Sequence, residues 1–262
     1  MGTRKFFFSL LFALLIITYI ALHWVTLIDF PYVHSDEAWL SGFSRTVLDK
    51  GSFQSSEPFF DLYPRAIHGL RVVFVSAQML MIKWFGYSIS SVRSLSLILS
   101  LVSLIFIFQV LKKIGANVVE RLIMTGIIAF MTQFIMMSHV ARQEPFILLG
   151  MLSAYYLMVH VDRPIKHLLI PAIIGLCIGV HPNSFIIGLS IGILYLFQFY
   201  KGRLKLKNVA LYILQLTLWA SLFIGISFKL NPNFIGDYLA FGDQLGVVNH
   251  SLNRVQGFYY YY

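Results

Sequence analysis

The sequence predicts an all-α polytopic membrane protein of about seven transmembrane helices, with a long first outer loop that carries interfacial helices. Three observations predict it. Of 262 residues, 58% are hydrophobic and 12% charged, roughly half the charged fraction of a soluble domain. The apolar residues form long continuous runs at 6–28, 70–85, 95–111, 122–137, 146–159, 168–180, 184–200 and 209–228. Only helices and closed barrels satisfy their backbone in lipid, and these runs lack the alternation of barrel strands. The basic residues, finally, are distributed with a strong side-to-side bias.

Arg4-Lys5 followed by the 6–28 run has the start of a secretory signal. The run is too long for one and no small-x-small cleavage site follows, so it reads as an uncleaved first span, 1–28, with the N-terminus inside. Residues 29–94 then form outer loop one. Within it, 70–85 carries Arg71, Gln78 and Lys83 with its apolar side chains favouring one face. It is expected to lie in the interface, with Trp84 and Tyr87 at headgroup level. Six further spans occupy 95–230, and 231–262 is an outer C-terminal segment. Several runs fall short of the ~20 residues of a typical span, so their ends take in flanking polar residues or meet a thinner bilayer.

The charge distribution decides between topologies. With 70–85 on the surface, the inside holds Arg4, Lys5, Lys112, Lys113, Arg121, Arg163, Lys166, Lys201, Arg203, Lys205 and Lys207 against Glu120 and Asp162. That places the whole formal charge of +9 on the inner side and leaves the outer side balanced. If 70–85 crossed, Lys112-Lys113 and the 201–207 cluster would face outward, against the positive-inside rule. The basic excess is thus a topology signal, and nucleic acid is not expected as a partner. The single Cys177 lies inside an apolar run and can form no intrachain disulfide.

The chemistry-bearing residues all fall on the outer side of this topology. His34-Ser35-Asp36-Glu37-Ala38-Trp39 opens a short helix, and an acidic pair beside a span is costly without a basic, metal or substrate partner. Ser35 or Asp36 is the expected N-cap, and capping alone would account for either. Glu57, Asp61, Tyr63, Arg65 and His68 follow, punctuated by Pro58 and Pro64. Arg71, Lys83 and Arg93 have the alternative of snorkelling to headgroups. Outer loop two, Ser138-His139-Val140-Ala141-Arg142-Gln143-Glu144-Pro145, leads into a helix and could be a salt-bridged, capped loop. His181-Pro182-Asn183 is a tight turn whose histidine could donate to an anionic group. No cofactor is certain. A divalent metal is left open, since His68, His139, His181 and Glu144 could converge with Asp36, but no spacing forces it. Gly175 with Gly179, and Gly188 with Gly192, have small-xxx-small spacing inside spans, which is helix-packing chemistry rather than a nucleotide loop.

Several of these phrases occur in a familiar order: Ser35-Asp36-Glu37-Ala38, Leu48-Asp49-Lys50-Gly51-Ser52-Phe53, His68-Gly69-Leu70, Trp84-Phe85-Gly86-Tyr87-Ser88, Val92-Arg93-Ser94-Leu95, then 138–144 and 175–182. In this the chain resembles the GT-C membrane glycosyltransferases, in particular the protein O-mannosyltransferases and the lipid A aminoarabinose transferases. The resemblance implies a hexosyl or pentosyl transferase that moves a sugar from a polyprenyl-phosphate donor to a lipid, glycan or protein acceptor on the outer or lumenal face. It assigns the base to Asp36, with Glu37 and Glu144 as further catalytic acids, and donor or acceptor binding to Arg142, His181, His68, Arg65 and Arg93. Two departures accompany it. The Lys-Pro-Pro phrase of the aminoarabinose branch is replaced by Glu57-Pro58-Phe59, and the chain ends soon after the last run, where relatives continue. A truncated frame is therefore expected, with an inactive or partner membrane subunit as the alternative function. A transporter fragment is disfavoured because the core runs are nearly free of charge.

Overall fold

The computed structural model describes residues 2–54 and 68–244, and among these every regular element is helical. The helices are α1 (Gly2–Thr26), α2 (Ser35–Lys50), α3 (Val72–Phe85), α4 (Ile89–Lys113), α5 (Val118–Ala129), α6 (Thr132–His139), α7 (Glu144–His160), α8 (Lys166–Ile178), α9 (Phe185–Tyr200), α10 (Leu206–Leu230) and α11 (Phe234–Gln244). Each predicted apolar run lies within one helix, overrunning its ends by two residues at most, or, for 122–137, falls on the pair α5 and α6. α11 falls in the segment taken from sequence as an outer tail.

Four helical stretches are long and apolar enough to cross a membrane: Phe6–Thr26, Ile89–Lys113, Pro182–Tyr200 and Leu206–Leu230. The pair α5 and α6 makes a fifth if its 62° bend is one broken span. The chain is a helical, multi-pass membrane protein. No proline lies at the bend between Ala129 and Thr132, so the sequence carries no signal for it. α7 and α8 span 17 and 13 residues, less than a full crossing requires.

The helix contacts explain the small residues. Gly175 of α8 and Gly179 at its C-cap lie directly under the Trp219 and Phe223 rings of α10, where a Cβ would collide with either ring. Gly150 of α7 makes the same kind of approach to Cys177. A second apolar layer sits beneath α2 and α3, where Trp39, Leu40 and Val47 pack with Phe74, Val75 and Val180. This layer holds α2 and α3 across one end of the bundle. The opposite end carries the loops rich in lysine and arginine, with the Arg121 guanidinium laid over Phe108 at 4.4 Å.

Local chemistry places the ends of α2. Its N-cap is His34, one residue before the expected position. The His34 ring nitrogen accepts from the Asp36 amide at 3.2 Å, while Glu37 reaches back to the His34 amide. An imidazole nitrogen thereby performs the acceptor role usually given to a serine or aspartate oxygen. At the other end Gly51, at φ 66°, closes the helix in the left-handed conformation that only glycine adopts cheaply.

Candidate functional site

The adjacent acids of α2 have opposite environments. Glu37 is buried and meets Arg93, the largest fully buried side chain among the described residues. Arg93 Nε donates to Glu37 Oε1 at 2.7 Å and Nη2 to Oε2 at 2.9 Å, a forked pair. Arg93 Nη1 and the second Nη2 proton reach the Leu27 and Pro31 carbonyls at 2.7 and 2.9 Å. The Glu37 carboxylate also accepts the Ala141 amide at 3.0 Å and the His34 amide at 3.4 Å. One ion pair therefore ties together the end of α1, the entry to α2, the first turn of α4 and the loop before α7. The structure gives Glu37 and Arg93 to each other and to backbone, where the resemblance assigned the first to catalysis and the second to substrate.

Asp36 points the other way. Its side chain is 37% exposed and lies 3.5 Å from Arg142 Nη2, which also meets Glu144 Oε1 at 3.0 Å. Two carboxylates from loops far apart in sequence thus share one guanidinium. The Glu37 clamp explains the meeting, because the carboxylate next to Asp36 holds the amide next to Arg142. His34 Nδ1 stands 4.0 Å from Asp36 on the other side.

A basic group adjoins this cluster. Arg71 enters α3 with its guanidinium 4.5 Å over the Trp39 ring. His181 caps the Pro182–Ser184 turn, its Nδ1 accepting the Asn183 amide at 3.1 Å. Burial pushes the His181 ring down to about 4, and the Arg71 and Arg142 charges add to the effect. His68 is pushed down to about 3 by burial, then by Arg71 and His181. Both rings are accordingly neutral at pH 7, in a positive field set by two arginines. His68 packs against Phe234 and Tyr238 of α11. The buried His68 Nδ1 and Arg142 Nε find no hydrogen-bond partner, so both have unused hydrogen-bonding capacity.

Arg65, Glu57, Asp61 and Tyr63 lie outside the described residues. His139 is not part of the cluster: its ring is buried in the bundle against His23. Sequence reasoning missed Arg71, taken for a headgroup contact. Its place two residues after His68-Gly69, rather than within the apolar face of α3, was the available signal. Among the described residues no three histidine, cysteine or acidic side chains gather as metal ligands. Asp36 and Glu144 both face Arg142, which is ion-pair geometry rather than a ligand set.

Compared with known proteins, the chain matches no family model and no curated protein. Its function must be argued from geometry. What the cluster can do chemically is hold an anion near a half-exposed carboxylate. Arginine forks and neutral histidine N–H groups suit phosphate oxygens, and Asp36 is placed to accept a proton from a hydroxyl.

Proposed function

We propose that this chain is a GT-C-type glycosyltransferase that moves a sugar from a polyprenyl-phosphate donor to an acceptor hydroxyl. In this reading it crosses the membrane seven times, with a cytoplasmic N-terminus and its site on the outer or lumenal face. The observation that carries it is the meeting of Asp36, Arg142 and Glu144 with Arg71, His68 and His181 at one end of an apolar helical bundle. The opposite end carries the lysine-rich loops, which supports the sidedness.

The roles follow from the geometry. Asp36 accepts the proton of the acceptor hydroxyl as its oxygen attacks the anomeric carbon in one inverting displacement. The bond to the phosphate oxygen breaks, and the departing phosphate carries its electron pair to Arg142 and Arg71, with the two neutral histidines as donors. Glu144 keeps Arg142 oriented. Glu37 and Arg93 act on the reaction only by holding the two loops in register. A lipid phosphate is a good leaving group, so positioning and charge stabilisation account for most of the catalysis required. The prenyl tail lies along the apolar bundle.

The Asp36–Arg142 contact also fits a second reading, a partner subunit in which the cluster is only a structural ion pair. Membranes carrying wild type or Asp36→Asn, supplied with radiolabelled polyprenyl-phosphate hexoses and pentoses, separate the two. Transfer should fall at least about 10²-fold in the variant. Equal transfer by both proteins, or none by wild type with any donor, would sink the enzyme reading.

A further inference from the structure

Away from this cluster, the end of α1 and the end of α6 bury a polar stack that the transfer reaction does not use. The His23 and His139 rings lie 4.6 Å apart at 20°, and the Tyr19 ring lies 3.9 Å from His23. All three side chains are at most 1% exposed. Ionisable side chains at such depth in a membrane bundle are expensive and call for a function.

The hydrogen bonds in the stack do not close. His139 Nδ1 is 2.9 Å from the Ile135 carbonyl, and Nε2 is 3.2 Å from the His23 carbonyl. Both ring nitrogens thus face acceptors, and a neutral imidazole has a single N–H. Thr26 Oγ1 is 3.2 Å from Nε2 and 2.9 Å from the Leu22 carbonyl, and its one proton can serve only one of them. On the other ring, Ser138 Oγ donates to the Ile135 carbonyl at 2.7 Å, so at 3.3 Å from His23 Nδ1 it can only accept. With Ser138 donating to the carbonyl, the His23 proton sits on Nδ1; in either tautomer the buried Nε2 has no partner. Whichever neutral tautomer His139 adopts, one of its two nitrogen–carbonyl contacts lacks a proton. Two charges at this separation would repel, so the stack has room for one.

We propose that the His23–His139 stack is a single-proton binding site whose occupancy sets the position of the loop carrying Arg142. As an imidazolium, His139 would donate to both carbonyls and close the end of α6 onto α1. The connection onward is short: the Val140 carbonyl accepts from Ser96 at 2.8 Å, and the Ala141 amide is held by Glu37. Arg142 follows. The charged groups facing the stack are Arg93 of α4, which acts on His139, and Glu37 of α2, which neutralises Arg93. Tyr19 is the other titratable group against the rings.

The test needs no activity and does not depend on the transfer reaction. Full-length chain with ring-15N histidine, in lipid nanodiscs, is titrated from about pH 4 to about pH 8 by NMR, the range in which histidines change charge. One ring of the pair should pass from neutral tautomer to imidazolium in a single step, with the Ala141 amide moving at the same midpoint. His139→Gln should abolish both changes. His23→Phe keeps an aromatic surface against His139 and serves where His139→Gln fails to fold; it should retain the step at a displaced midpoint. Rings that hold one tautomer throughout, as a bridging water would cause, overturn the proposal. An Ala141 titration that survives His139→Gln, or a midpoint unmoved by His23→Phe, does so as well.

Discussion

Asp36 and Glu37 are neighbours in one helical turn, each with an arginine partner, yet they are built for different purposes. Glu37 and Arg93 are both buried, and every guanidinium nitrogen of Arg93 has an acceptor. Asp36 and Arg142 are partly exposed, meet at 3.5 Å, and share Arg142 with Glu144. The first pair is buried and engaged at every guanidinium nitrogen. The second retains exposed oxygens and an unpartnered Arg142 Nε. Of this acidic pair at a helix start, one carboxylate is buried and fixes the loops while the other stays partly exposed.

The sharpest way to break that contrast is to remove one half of the buried pair. Glu37→Leu leaves the Arg93 charge buried beside two carbonyls and frees the Ala141 amide. Removing one partner of a buried ion pair costs roughly 3–5 kcal/mol, so the thermal midpoint in detergent should drop steeply. Glu37→Leu with Arg93→Met should recover part of the loss. Asp36→Asn, by contrast, should unfold within about 1 kcal/mol of wild type. An Asp36→Asn midpoint as low as that of Glu37→Leu would erase the distinction.

A second perturbation uses pH. The ordinary histidine value is 6.5, and the structure lowers His181 to about 4 and His68 to about 3. In both cases the unfolded chain binds protons that the folded chain refuses. The stability that accompanies the neutral rings is therefore present above 6.5 and is lost as pH falls toward the folded values. Thermal midpoints should decline from pH 6.5 to pH 4, and His181→Asn should flatten part of the decline. A midpoint unchanged over that range would mean the two rings are not held neutral by their surroundings. An anion in the site opposes this effect, since it favours the protonated rings. Inorganic phosphate should reduce the acid sensitivity of wild type more than that of Arg142→Ala.

Much of this molecule was legible in its sequence, for identifiable reasons. The apolar runs located the helices, because a bundle in lipid has no other way to satisfy its backbone. The glycines at 175 and 179 announced a close helix contact, and Trp219 and Phe223 supply it. The convergence of Asp36 with Arg142 and Glu144 was an expectation of topology that spacing could not force. It depends on a side chain 56 positions from Glu37, and no local pattern distinguishes an arginine that clamps from one that snorkels. Snorkelling was an alternative for Arg71 and Arg93 alike; Arg93 is instead buried on Glu37, and Arg71 lies over Trp39. The bend between α5 and α6 had no proline to mark it, and His34 capped α2 with a ring nitrogen where oxygen chemistry was expected.

The smallest effect is the most discriminating for the exposed half of the comparison. Glu144 is a surface partner of Arg142, and pairs of this kind contribute only about 0–1 kcal/mol. Glu144→Gln should therefore leave unfolding almost unchanged while freeing the guanidinium to rotate toward Asp36. If Glu144 orients Arg142 for an anion, inorganic phosphate should protect the variant against acid unfolding less well than it protects wild type. If Asp36 and Glu144 merely neutralise a surface arginine, losing one acid raises the local positive charge and phosphate should protect the variant better. The two outcomes differ in sign, so even a shift of a few tenths of a kcal/mol decides between a positioned phosphate ligand and a solvated ion pair.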